Sequence, residues 1–293
     1  MSSTPFRVAA VQMCSGTDPE RTVPVLEQAV AQAAARGAIY VQTPEMTGAV
    51  QKDRKRLLAV LRREADDPVV QAASALARKH AIHLHLGSTP VALDDGKIAN
   101  RAFVFAPSGD RIAHYDKLHM YDVDLDNGES WRESAVYQPG NDTRVLALPF
   151  ARLGLAICYD LRFPALFRAQ ALAGAEILTV PAAFTRQTGE AHWHILQRAR
   201  AIENGAFVVA AAQGGRHADG RETYGHSLIV DPWGRVLAEA AGTQPEIVVA
   251  EICIDEVAAT RAKIPNLKNA RPIGAVDVVE EDGLSRQERA MAS

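Results

Sequence analysis

Short apolar runs recur along the chain, separated by segments in which apolar residues return every three or four positions. The first run, residues 6–13, is rich in valine and alanine and predicts a buried strand. Asp18-Pro19 then supplies an N-cap and a first-turn proline for a helix that Gly37 ends. Residues 39–42 predict a short strand running into Thr43-Pro44-Glu45. Asp67-Pro68 repeats the cap signature and starts a helix through about His80. Further strands are expected at 82–87, 102–105 and 111–115.

The same order returns from Arg152. A strand at 153–158, a helix at 164–173 and a strand at 176–181 are followed by a helix at 190–204, which Gly205 stops, and a strand at 207–213. Asp231-Pro232-Trp233-Gly234 joins strands 227–230 and 235–238 as a hairpin. Residues 247–252 and 255–264 are the last strand and the last helix. Alternating strands and helices predict an α/β fold. The halves share element order without evident sequence identity, so two similar sheet-plus-helix layers packed face to face are expected. Residues 1–275 then form one domain, and the polar stretch 276–293, with Glu280-Glu281-Asp282-Gly283, a C-terminal tail.

Composition changes this picture little. Of 293 residues, 47% are hydrophobic and 23% charged, which is ordinary for a globular protein. A chain this long buries roughly three quarters of its unfolded surface, so no disulfide or metal staple is needed. The formal net charge of -3 argues against a nucleic-acid or acidic-membrane partner. Three scattered cysteines, Cys14, Cys158 and Cys253, do not make a disulfide framework or a zinc knuckle. The opening Met-Ser-Ser-Thr-Pro has neither a basic segment nor a long apolar run, and no signal peptide is expected. No run approaches the ~18 apolar residues of a membrane span. The expected location is the cytoplasm, with no cofactor and no metal.

Candidate chemistry begins at Cys158, which ends the apolar run Gly154-Leu155-Ala156-Ile157 shortly before a helix. A nucleophile on a sharp strand-to-helix turn is exposed, and N–H groups at the turn can stabilise an oxyanion. An apolar strand also ends in buried, inert cysteines, and position alone favours that reading, as it does for Cys14 and Cys253. Glu45 projects from an extended backbone held by Pro44. Lys117 follows the strand at 111–115, and Glu133 lies in Trp131-Arg132-Glu133-Ser134. Each alone reads as an ordinary solvated charge. Together they make chemical sense: an ammonium lowers a thiol's pKa, while a carboxylate takes the thiol proton and returns it to a leaving nitrogen.

In this order the segments Thr43-Pro44-Glu45, Tyr115-Asp116-Lys117-Leu118-His119 and Cys158-Tyr159-Asp160-Leu161-Arg162-Phe163-Pro164 resemble the nitrilase superfamily of carbon–nitrogen hydrolases. The resemblance runs from about Phe6 to Ile264. It implies a Glu45–Lys117–Cys158 triad, a second glutamate at Glu133, and an α-β-β-α sandwich of two mixed sheets with outer helices. Lys117 and the backbone N–H of Tyr159 would then stabilise the oxyanion, and the homo-oligomer implied is at least a dimer. Pro181-Ala182-Ala183-Phe184-Thr185, Ala191-His192-Trp193, residues 198–204, Tyr224-Gly225-His226-Ser227 and Asp231-Pro232-Trp233-Gly234 are similar to the branch holding deaminated glutathione amidases and ω-amidases. Gly215-Arg216-His217 brings the former nearer. The function implied is hydrolysis of a small carboxylate-bearing amide through a cysteine thioester. Thr43 stands where many relatives carry a bulky aromatic, and Asn269-Ala270-Arg271-Pro272 matches the usual C-terminal Arg-Arg-Pro only in part.

Arg162 and Thr185 are candidates for binding a substrate carboxylate or carbonyl; Arg162 could equally pair with a buried Asp160. His192 is a candidate for the pocket wall, or else for packing. Competing readings exist. His83-Leu84-His85 puts two rings on one strand face, as a zinc hydrolase would need, but no third ligand follows at recognisable spacing. Gly225-His226-Ser227-Leu228-Ile229 lacks the closing glycine of a serine nucleophile elbow. N-carbamoyl or nitrile hydrolysis would use the same triad, and an idle binding scaffold would not use it at all.

Overall fold

Alternate residues of the first strand, Phe6–Gln12, belong to different cores. Val8 and Ala10 face one sheet-to-sheet interior with Tyr40, Val104, Leu153, Leu155 and Val208. Ala9 and Val11 face outward against helix residues Leu26, Val30, Ala73 and Leu76. This period of two generates the layers: each strand offers one face to the opposite sheet and one to its own helices. The computed structural model describes residues 4–126, 128–276 and 278–279.

Two six-stranded mixed sheets result. The first runs, in spatial order, Glu246–Ile252, Phe6–Gln12, Ala38–Gln42, His83–Ala92, Ile98–Phe105, Arg111–Asp116. The second runs Arg144–Ala147, Arg152–Leu155, Ile177–Thr179, Phe207–Ala210, Leu228–Val230, Val236–Glu239. Each sheet has three parallel strands at its centre and antiparallel neighbours outside them. The repeated element order is therefore a repeated topology, and the α-β-β-α sandwich is the observed fold.

The helices start where their caps require. The Asp18 side chain accepts from Glu20 N at 3.0 Å and opens Pro19–Ala35. Asp67 accepts from Val69 N and Val70 N at 2.9 and 3.0 Å and opens Pro68–His80. Gly37 and Gly205 stand at φ 81 and 53, in the left-handed region that lets a helix stop.

Several boundaries differ from those expected. The strand at 82–87 extends through His83–Ala92, with an irregularity between Leu86 and Thr89. The strand expected to reach Cys158 ends at Leu155, and Cys158 opens a 3-10 turn, Cys158–Arg162. The helix expected from 190 begins at Arg186. Arg144–Ala147, the helix Arg54–Val60 and the ribbons Asp122–Asp124 with Ser130–Arg132 and Gly214–Arg216 with Glu222–Tyr224 carry too short an apolar pattern to be read in advance. Of the tail expected over 276–293, residues 277 and 280–293 lie outside the described residues. No helix among the described residues is long and apolar enough to cross a membrane.

Candidate active site

The central strands of both sheets end at one place, and their loops must pass very close together there. A Cβ on Gly87 would fall 2.0 Å from the Thr43 carbonyl oxygen and 2.5 Å from Pro181 Cβ, so only glycine fits. Beyond this contact Cys158 N donates to Pro181 O at 2.9 Å. Cys158 is itself held at φ 49, a left-handed conformation uncommon for a side-chain-bearing residue. The turn is braced by the fully buried Asp160, whose carboxylate accepts from Ile157 N at 2.9 Å, Tyr115 OH at 2.8 Å and His119 N at 3.0 Å. Asp160 thus ties the cysteine turn to both sides of Lys117.

Glu45 is equally fixed. Met46 after it stands at φ 55, with its N–H donating to Ser88 Oγ at 2.9 Å, and Gln213 Nε2 donates to the Glu45 carbonyl at 3.0 Å. Thr43 is buried and polar in use: its Oγ1 accepts from Thr47 Oγ1 at 2.8 Å and from Gly87 N at 3.1 Å.

The charged groups converge. Lys117 Nζ donates to Glu45 Oε1 at 2.9 Å and to Glu133 Oε1 and Oε2 at 3.0 and 2.8 Å. Glu45 Oε2 accepts from Ala183 N at 2.9 Å, and the Glu45 carboxylate and the Cys158 thiol each act on the other's proton affinity. Lys117 is 2% exposed and Glu45 4%, so these charges interact with little screening. Burial would push the Glu45 carboxyl up, but the Lys117 charge and hydrogen bonds from Cys158, Lys117 and Asn100 outweigh it and hold it below the usual value. Burial would likewise push Lys117 down, and the charges of Glu133 and Glu45 raise it well above an ordinary lysine instead. Cys158 moves in the opposite sense to the sequence expectation. Burial first, then the Glu45 charge, push its thiol well up, and Lys117 only partly offsets them. These directions favour the proton on sulfur and the charged forms of Glu45 and Lys117.

These residues open onto a cavity of about 790 Å³ lined by Glu45, Lys117, Glu133, Cys158, Tyr159, Arg162 and Thr185, among others. Arg162 does not pair with Asp160. Its guanidinium stands 5.9 Å from the Tyr159 ring centre and 5.3 Å from that of Phe184, with Nη1 3.2 Å from His192 Nδ1. No carboxylate pairs with it among the described residues. His192 is exposed; it meets the cavity residue Arg162 by that contact and is not itself among the residues lining the cavity. Thr185 lines the cavity, its hydroxyl 2.9 Å from that of Thr188. His83 packs edge-on against Phe150, while His85 is fully buried with Nδ1 2.8 Å from Tyr40 OH. Burial lowers His85 to about 3, and no third ligand gathers at this pair among the described residues.

One central residue was not anticipated. Asn100 is fully buried, and its Nδ2 donates to Glu45 Oε1 at 2.9 Å and to Glu133 Oε1 at 3.2 Å. Its backbone carbonyl also accepts from Lys117 N at 3.0 Å. The available signal was an asparagine buried in the strand Ile98–Phe105, where Arg101 is the other polar residue.

A glutamate, a lysine and a cysteine are thus buried together at the strand ends of a four-layer sandwich. The chain matches the family described as Carbon-nitrogen hydrolase over residues 7–262 and belongs to that family. It is an amide-hydrolysing enzyme of the nitrilase superfamily. It is 41% identical to the deaminated glutathione amidase of Yersinia enterocolitica over 83% of this chain and 84% of that protein. Against Omega-amidase NIT2 of Homo sapiens the identity is 34%, covering 92% and 96%. Among solved structures, Saccharomyces cerevisiae Nit3, a member of branch 10 of the nitrilase superfamily, superposes with a TM-score of 0.81 at 28% identity, covering 90% of this chain and 96% of that one.

Proposed function

We propose that this amidase hydrolyses a small carboxylate-bearing amide, of the deaminated glutathione or α-ketoglutaramate kind, through a thioester on Cys158. The observation that carries the reading is the convergence of Glu45, bonded to the Lys117 ammonium, and Cys158 on one cavity, which also presents Arg162 with no carboxylate partner among the described residues.

Because the thiol rests protonated, proton removal accompanies attack. Glu45 takes the Sγ proton as sulfur adds to the amide carbonyl, and Lys117 with the Tyr159 backbone N–H stabilises the oxyanion. Glu45 then gives the proton to the leaving nitrogen, the C–N bond breaks, and an acyl thioester remains. A water deprotonated by Glu45 adds to the thioester, and the acid leaves as the proton returns to sulfur. Glu133 keeps Lys117 in place and charged while Glu45 is transiently neutral. Arg162 and Thr185 hold the substrate carboxylate or carbonyl. The family resemblance supports a homo-oligomer of at least two chains and a cytoplasmic location.

A substrate panel tests this. Deaminated glutathione, α-ketoglutaramate, carbamoyl-β-alanine and simple nitriles are incubated with the enzyme, and products and intact protein mass are measured. Turnover of the first two with a transient acyl adduct on Cys158 is expected. Preference for carbamoyl compounds or nitriles would overturn the substrate assignment. Turnover by Cys158→Ala would overturn the thioester.

A further inference from the structure

His194, His226 and Glu239 play no part in the chemistry above, and none of them lines the cavity. They come from three separate elements: the helix Arg186–Asn204, the segment before the strand Leu228–Val230, and the end of Val236–Glu239. One ring nitrogen of each histidine and a carboxylate oxygen of Glu239 all lie within 4.8 Å of one another. His194 Nε2 is 2.8 Å and His226 Nδ1 3.0 Å from the same oxygen, Glu239 Oε1. Among the described residues no other trio of histidine, cysteine or carboxylate ligands meets this test.

We propose that His194, His226 and Glu239 form a binding site for a zinc-like divalent transition-metal ion, in which one ion takes a nitrogen from each imidazole and an oxygen from the carboxylate. The donor set decides the class of ion. Two imidazoles and one carboxylate suit zinc and its neighbours, whereas calcium and magnesium require oxygen donors throughout. Bond lengths of roughly 2.0–2.2 Å in a tetrahedral arrangement place adjacent donors about 3.4 Å apart. The two contacts to Glu239 therefore open by a few tenths of an ångström, and the imidazoles swing toward one another. Side-chain rotation accomplishes both. The remaining coordination position faces solvent, because the three side chains are between 25% and 35% exposed.

The backbone holds the donors ready. His226 stands at φ 55, a strained conformation that persists only where its surroundings fix it. Its carbonyl accepts from the buried Trp193 Nε1 at 2.8 Å, its N–H donates to Gly242 O at 3.2 Å, and its ring stacks on Tyr224 at 4.3 Å. Trp193 precedes His194, so the contact that fixes His226 also sets the facing helical turn. A bound ion would cross-link this helix to the hairpin. The helix's first turn, with Arg186, Gln187 and Thr188, forms part of the cavity wall.

The site is independent of the proposed substrate and mechanism, and a binding measurement tests it. The full-length enzyme, stripped with chelator, is titrated calorimetrically with Zn²⁺, and Co²⁺ is added separately as an optical probe. One equivalent of zinc is expected with micromolar or tighter affinity. The cobalt d–d bands should lack the intense thiolate charge-transfer absorption that coordination by a cysteine gives. His194→Ala and Glu239→Gln should each weaken that equivalent by at least roughly 10–100-fold, with metal-free amide turnover unchanged. No zinc binding by the native chain, or binding undiminished in both variants, overturns the assignment. So does a cobalt spectrum dominated by thiolate, which would place the ion on a cysteine. Circular dichroism of both variants confirms that they fold.

Discussion

Glu133→Gln substitutes an amide of the same shape for the carboxylate that anchors Lys117. Glu133 Oε1 accepts from Lys117 Nζ and Asn100 Nδ2, and Oε2 accepts from Lys117 Nζ and Tyr121 N at 2.7 Å. Glutamine has one acceptor and one NH₂ group, so in either orientation its donors face the donors of Lys117 and one neighbour. Losing one charge-assisted hydrogen bond costs about 1.5–3 kcal/mol. At about 1.4 kcal/mol per tenfold in rate, kcat should fall roughly 10–100-fold if the loss is felt in the transition state. A second effect has a definite sign. Burial pushes Lys117 down, and Glu133 is the first of the charges that push it up. Without that charge the ammonium deprotonates at lower pH, and the alkaline limb of kcat moves toward acid. The assay is steady-state ammonia release across pH, with circular dichroism to confirm folding. A variant with kcat within about twofold of native and an unmoved alkaline limb would refute the role given to Glu133.

Asn100→Ala removes a hydrogen bond that holds the Glu45 carboxyl low. The acid limb of kcat should move up in pH as kcat falls about tenfold; an unchanged acid limb would show that Asn100 does not act through Glu45. Arg162→Met should lower kcat/KM for carboxylate-bearing amides by roughly 10–100-fold while leaving a neutral amide nearly unaffected; equal losses on both would make Arg162 structural. Cys158 should contribute no thiolate ultraviolet absorbance at neutral pH, measured as the difference between native enzyme and Cys158→Ala, because burial and Glu45 hold its proton on. A clear thiolate signal there would contradict proton removal during attack.

Much of this architecture can be read from the chain. Periodicity and caps locate most sheet strands and the longer helices, because Asp18-Pro19 and Asp67-Pro68 act within a few residues of themselves. Glu45, Lys117 and Cys158 are legible as a set only through their resemblance to a family, since their meeting depends on loops from different sheets. Asn100 escapes notice because its partners, Glu45 and Glu133, are distant in sequence and a lone strand asparagine does not say what it faces. The behaviour of Cys158 escapes for a related reason. Whether an ammonium or a carboxylate dominates a thiol depends on burial and distance, which spacing does not encode. His192 touches the cavity only through Arg162, a contact that its place beside a motif does not reveal.

Glu246–Ile252 pairs with Phe6–Gln12 along its whole length, so one strand is sheltered by another that is translated long after it. The second sheet is drawn entirely from the continuous stretch 144–239 and can be completed as that stretch emerges from the ribosome. The first sheet cannot. Until residue 252 has been made, one margin of Phe6–Gln12 remains an unpaired apolar edge of the kind that recruits stray strands. Synthesis therefore delivers the seal for the first layer after the second layer is whole.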